Sequence, residues 1–273
     1  VIDLGIEPAG TVLPSAALTV DELDLLVHLL DVDVLPVVLD ADSRFDSVPA
    51  RDAAFDRAHA TLTTAGLLDG GSVHPDLARW LRVLARPRGE IAARRFAAGT
   101  IARLCLAFDD DGAVLALRSG DSLTVQHVQH DLAGPVAQAL GTADALAFGV
   151  VNRPTEMLGA ALDRLADPDR AAAELAGIGV PAADAAMIGP ALAGCPVFTE
   201  IVGIVHEDGR PDLMHGPVTV FDTAAGRIVG TTSIAADGSR WTSLSPGHPG
   251  RLRQALVGLL DELVRAVSPS GRR

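Results

Sequence analysis

Apolar residues along this chain fall first at helical spacing, then at every second position, and then run through the same cycle again. Leu23, Leu26, Val27 and Leu30 form the stripe of a helix that buries one side. Thr19-Val20-Asp21-Glu22 ahead of them is a capping box, with Thr19 as N-cap and Glu22 reaching back to its backbone. Pro36 stops any continuation, and Val37-Val38-Leu39 reads as a short strand. Asp46 to Ala65 predicts a long helix with Phe55, Ala58 and Leu62 inward and Gly66 as its C′ residue. Pro75 opens a third helix with Leu77, Trp80, Leu81 and Leu84 on one face.

The period then drops to two. Glu90–Ala97, Ile101–Phe108, Ala113–Arg118 and Leu123–Val128 are predicted strands. Ala98-Gly99, Asp109–Gly112 and Gly120-Asp121 join them as turns. Asp131 to Leu140 closes this meander as a helix. The second cycle opens with a strand at Leu146–Val151. Asn152-Arg153-Pro154 then leads into a helix through Leu158 and Leu162. Further helical stretches are expected at Arg170–Ala176 and Ala182–Leu192. Strands follow at Val197–His206, Pro217–Phe221, Arg227–Ile234 and Arg240–Leu244, with hairpin signals at Glu207–Arg210 and Ala236–Ser239. His248–Val267 is the final helix, with Leu252, Leu256, Leu259, Leu260 and Leu263 on one side. Ser268–Arg273 is a polar tail, expected to be disordered.

Two segments repeat one pattern. Ala107-Phe108-Asp109 and Val220-Phe221-Asp222 each lead through a polar turn closed by glycine, Gly112 or Gly226, into an apolar run. Strands come in runs and do not alternate with helices, so the predicted fold class is α+β with antiparallel sheet. The expectation is two antiparallel four-strand β-meanders with helices, related by a pseudo-two-fold and forming one sheet platform. They make a single domain over residues 1–273, in two quasi-equivalent halves of about 1–144 and 145–267.

With 48% hydrophobic residues the chain can bury a sizeable core. No apolar run reaches the roughly 20 residues of a membrane span. The N-terminus lacks a basic region followed by an apolar core, so no secretory signal is expected there. Cys105 and Cys195 sit in apolar surroundings and read as reduced thiols, a disulfide being the alternative. The net charge is −13 and every Lys+Arg position is Arg, which argues against general nucleic-acid binding. Arg86, Arg88, Arg94 and Arg95, interrupted by Glu90, read as a solvated strand face.

The candidate chemistry is sparse. His127 and His130 have an H-x-x-H spacing, but one is strand-like and the other lies at a strand–helix junction. Surface histidines are therefore expected, and no metal site. Asp109-Asp110-Asp111-Gly112 lacks the alternate acids of a calcium loop and reads as a turn. Asp40 and Asp42 read as solvated loop carboxylates. No G-x-S-x-G, phosphate-binding glycine loop or C-x-x-C pair occurs. His206-Glu207-Asp208 has no nucleophile at a recognisable spacing. No catalytic residue and no cofactor are expected.

The ordered features resemble the EspG family, the cytosolic chaperones of type VII (ESX) secretion systems in actinobacteria. The resemblance rests on Leu18–Leu23 opening the first helix, Ala65-Gly66-Leu67 ending the second, and Leu81–Pro87 closing the third. Val150 to Leu158 and Phe221–Arg227 complete it. It implies a quasi-two-fold fold that binds PE–PPE-like helical heterodimers in the cytoplasm and keeps them soluble before export. One departure is that Ala98-Gly99 and Asp109–Gly112 are short where some members carry a long loop. The alternative class is a small-ligand-binding protein or enzyme on the same duplicated scaffold.

The partner is expected across the exposed face of the second meander and the nearby end of the final helix. Strand alternation divides Cys195–His206 into two sets, neither of them polar enough for an ordinary solvated face. Thr199, Glu200, Ile201 and Trp241 are the candidate partner-binding residues, with Thr199 and Glu200 on opposite faces.

Overall fold

The computed structural model describes residues 12–32, 34–41, 45–164, 167–207 and 212–268. The expectations for Asp42, for residues 208–210 of the predicted hairpin and for the tail after Ser268 lie outside the described residues.

The first helix, α1 (Val20–Leu29), begins where the capping box requires. Glu22 N–H donates to Thr19 Oγ1 at 3.2 Å, and Thr19 N–H donates to Glu22 Oε2 at 2.7 Å. Just before it, Ala16–Thr19 forms a short strand, β1, that the alternation did not announce because four residues carry too little pattern. The expected strand at Val37–Leu39 is instead one turn of 3₁₀ helix, with Val37 exposed and Asp40 left-handed at φ 49°. Arg118 donates to the carbonyls of Leu39 and Asp40, so a side chain ties this segment to the sheet in place of a ladder. α2 (Val48–Thr64) is capped by Ser47, the small hairpin β2 (Leu68–Asp69) and β3 (Ser72–Val73) follows, and α3 is Pro75–Ala85.

The first meander is β4 (Gly89–Ala97), β5 (Thr100–Asp109), β6 (Gly112–Ser119) and β7 (Ser122–Val128). After α4 (Ala133–Ala139) comes β8, which is Val151–Pro154, later than the expected strand at Leu146–Val151. Then come α5 (Thr155–Leu162), α6 (Pro168–Gly177) and α7 (Ala182–Ala193). The second meander is β9 (Val197–Val205), β10 (Leu213–Thr223), β11 (Gly226–Ile234) and β12 (Arg240–Pro246), and α8 (Pro249–Val267) ends the described chain. β10 starts before the expected Pro217 because its register shifts between His215 and Val218, which lets the proline join a strand.

Ten strands form one sheet in the order β1-β7-β6-β5-β4-β9-β10-β11-β12-β8, and every pairing within it is antiparallel. The fold is therefore α+β, with eight α-helices among the described residues. The first strands of the two meanders, β4 and β9, pair over their whole length at the centre, with Ala92 opposite Val202 and Arg94 opposite Glu200.

Three apolar clusters hold helices to this sheet. α1 and α3 pack on β5, β6 and β7 through Leu23, Leu26, Trp80, Leu84, Cys105 and Val114. α5, α6 and α7 pack on the outer strands of the second meander through Leu158, Leu175, Ile188, Ile228 and Leu244. α4 and α8 cover the opposite face through Val136, Leu256, Leu259 and Leu263, against Ile91, Leu106, Ile201 and Val220. Each fully buried leucine contributes about 1.5–3 kcal/mol. α8 approaches β9 so closely that a Cβ on Gly203 would lie 2.7 Å from Leu263 Cδ2.

An open trough at the centre of the sheet

Among the described residues, the two helix groups on one face leave its middle uncovered. Between them the side chains of β4 and β9 floor a trough of about 1310 Å³. Strand alternation sends Glu90, Ala92 and Arg94 of β4 into it, with Glu200, Val202 and Ile204 of β9 beside them. His206, one residue past β9, continues the row. Val34–Val38 form one rim, Met214 on β10 lies opposite Ile204, and Ala266 and Val267 at the end of α8 border one end. The rims are apolar and solvent-facing: Val34 is 63% exposed, Val37 85% and Met214 69%.

On the same sheet face, beyond the Arg94–Glu200 pair and outside the trough lining, Phe96, Phe198 and Phe221 stack across three neighbouring strands, with ring centroids 5.6 and 5.5 Å apart. Arg94 and Glu200 face each other in register, and among the described residues neither closes an ion pair within 4.0 Å. Opposite charges at such positions sit near enough to answer a partner's charges together.

At the α8 end of the trough lies a polar cluster. Glu90 is buried, and its Oε2 accepts from the Cys105 thiol at 3.3 Å. Burial first, and then the Glu90 charge, pushes that thiol well above its ordinary range, so it stays protonated. His206 Nε2 is 3.8 Å from Glu90 Oε1, within ion-pair range but beyond a hydrogen bond, and its Nδ1 is 3.0 Å from Asp212 Oδ1. Glu90 foremost, and Asp212 after it, hold His206 above the usual histidine range against the opposing effect of burial. Arg88 is engaged elsewhere, with Asp110 at 2.5 Å and the carbonyl of Val267 at 2.7 Å.

The structure separates the four expected partner-binding residues. Glu200 is exposed and lies on the trough floor. Thr199 and Ile201 point to the opposite face and are 1% and 0% exposed, Ile201 beneath α8. Trp241 is opposite Ser233 on β11, which the two-residue period puts on the α8 side with Val229; its ring is half-buried and Nε1 donates to Ser239 Oγ.

The other sequence motifs take structural places. Asp109 Oδ1 accepts from the N–H groups of Asp111 and Gly112, closing the β5–β6 turn. Asp40 is paired with Arg103 at 2.6 Å. His127 lies on β7 and His130 has a positive φ of 52°, and among the described residues no group of three His, Cys, Asp or Glu is arranged to hold a metal ion. The basic stretch is not one solvated face. Arg94 opens into the trough, Arg95 points to the other side of the strand, and Arg88 is bound as described.

Sequence reasoning missed the Glu90–His206–Asp212 cluster. The one available signal was a lone acid, Glu90, leading an apolar run, and nothing in the sequence pairs residue 90 with residue 206.

A sequence model of the EspG family matches residues 19–258. The chain is 28% identical over 252 residues to the ESX-1 secretion-associated protein EspG1 of Mycobacterium tuberculosis, covering 90% of this chain and 86% of that protein. It is 25% identical over 268 residues to the ESX-3 secretion-associated protein EspG3 of the same species, covering 89% of each. In structure it is similar to the M. tuberculosis type VII secretion system chaperone EspG5, solved in complex with the PE25–PPE41 dimer. The TM-score is 0.74 at 20% identity, covering 90% of this chain and 96% of the other.

Proposed function

This chain belongs to the EspG family, and we propose that it is a chaperone of a type VII (ESX) secretion system that binds a PE–PPE-like helical heterodimer and keeps it soluble before export. The observation that carries the reading is the trough. Among the described residues 59 apolar side chains are buried, yet the centre of the sheet is left uncovered, with apolar rims and an aromatic ladder beyond its end. Such a surface suits a macromolecular partner. The relative EspG5, caught with a PE–PPE dimer, supports the same reading. It is the reading of a chaperone and not of an enzyme.

The docking surface we infer keeps Glu200 and adds Arg94, Val202, Ile204, Met214 and Phe198. Thr199 and Ile201 would act only by supporting the floor from behind, and Trp241 would lie away from the partner. We also read the two meanders as quasi-equivalent halves, about 1–144 and 145–267. The sheet order supports this, as does the place of the two Phe-Asp turns, which join β5 to β6 and β10 to β11. Superposing the halves should overlay the Asp109–Gly112 turn on the Thr223–Gly226 turn, which puts Phe108 and Phe221 on opposite faces of the sheet. A cytoplasmic location follows from action before export; among the described residues no helix is long and apolar enough to cross a membrane.

The test is co-expression with PE–PPE pairs from the source genome, followed by size-exclusion chromatography with light scattering. A stable complex of the chain with one heterodimer is expected. Failure of every pair to co-elute would overturn the reading.

A further inference from the structure

Among the described residues Glu90 is the one buried acidic side chain, and it lies on the trough floor. A carboxylate withdrawn from water is costly unless donors or a cation answer it. The Cys105 thiol is a weak donor. The cation within reach is His206, whose Nε2 is shielded from solvent and makes no hydrogen bond at its present 3.8 Å from Glu90. Asp212 occupies the other ring nitrogen.

A neutral imidazole has a single N–H and can donate to Glu90 or to Asp212, not to both. The imidazolium has two and answers both. The other charges around it do not take over this task. Arg88, just before β4, is held by Asp110 and the last carbonyl of α8. Arg86 and Glu207 border the same end with contacts of their own, and Arg94 and Glu200 lie further along the strands.

We propose that docking in the trough is coupled to a proton on His206, which is taken up or retained when the partner covers Glu90. This rests on the trough being the docking surface. A partner seated there removes the remaining water from His206 and Glu90. With His206 charged, the cluster of Glu90, His206 and Asp212 enters the interface with one net negative charge. With His206 neutral it enters with two, one of them buried without a cation. Desolvation costs more in the second case, so the complex favours the protonated form. Affinity is then greatest below the histidine's own range in the free chain, and falls as pH rises through it. A chaperone built this way holds its cargo more loosely wherever the local pH is higher.

The experiment is calorimetry with a PE–PPE heterodimer that co-elutes with the chain, from about pH 6 to about pH 8. It is run at each pH in two buffers of different ionisation enthalpy. The dissociation constant should rise with pH by up to about tenfold per unit, with proton uptake visible as a buffer-dependent heat. Both signatures should vanish in His206→Gln, which keeps a donor toward Glu90 but cannot charge. A flat wild-type profile, or a slope that survives in His206→Gln, overturns the coupling while leaving the chaperone reading intact. If no heterodimer binds at any pH, the chaperone reading fails, and the cluster is judged on the free chain. NMR titration of the His206 ring should then show a lower pKa in Glu90→Gln than in wild type, and an unchanged pKa overturns the proposal.

Discussion

Arg227 and Asp222 face each other across the β10–β11 hairpin as a two-pronged pair, Nε to Oδ1 at 2.5 Å and Nη2 to Oδ2 at 3.1 Å. The same guanidinium donates to the carbonyls of Leu140 and Gly141 at the end of α4. One buried side chain thus closes a turn of the second meander and binds the end of α4. Asp222→Asn leaves the arginine buried without its counter-charge. It should lower stability by about 3–5 kcal/mol, read as the shift in urea midpoint. A midpoint equal to wild type would show that the carbonyls alone hold the guanidinium.

Gly203 is the point where α8 meets β9. Its added Cβ would fall 2.7 Å from Leu263 Cδ2 and 3.0 Å from Cγ. Gly203→Ala should therefore displace the helix at a cost of about 1–3 kcal/mol, seen as a lower thermal midpoint. Gly258, on the same helix and with open space at its Cβ, is the control and should tolerate alanine.

Thr199 and Glu200 are neighbours with opposite fates. Thr199→Arg places a charge where the native side chain is 1% exposed, and should fold poorly or not at all. Glu200→Arg lies on the exposed floor beside Arg94 and should melt within a few degrees of wild type. It should also weaken the proposed complex with a PE–PPE-like heterodimer by about tenfold or more, as like charges meet in the trough. Binding by Glu200→Arg at wild-type affinity would move the docking surface elsewhere.

His206 also links stability to pH in the free chain. Its folded pKa is raised above the 6.5 of an ordinary histidine, first by Glu90 and then by Asp212. A raised pKa stabilises the fold fully below 6.5 and loses that contribution as pH rises through the folded value. Urea midpoints of wild type and His206→Gln should therefore diverge in acid and approach each other above the folded pKa. Parallel curves would mean that Glu90 does not sense the histidine's charge.

The local elements were readable because they depend on near neighbours. Thr19 and Glu22 sit three residues apart on any helix, so the capping box needed no tertiary information. The strands of both meanders, the Asp109–Gly112 turn and the final helix followed from period and turn chemistry. Where the pattern was short, tertiary contacts decided. Val37–Leu39 became a 3₁₀ turn because Arg118 claims its end carbonyls, and β1 exists because β7 offers an edge to pair with.

The sequence by itself determined that β9 has two faces, and not which one would be covered. Alternation gives Thr199 and Ile201 the opposite side from Glu200, Val202 and Ile204, and both sets are apolar enough to be core. The choice came from α8, which begins 44 residues after β9 ends and lays Leu259 and Leu263 on the Ile201 side. The same holds for Glu90 and His206. They meet because β4 and β9 pair with Gly89 opposite Val205, a register fixed by the whole sheet and carried by no local signal.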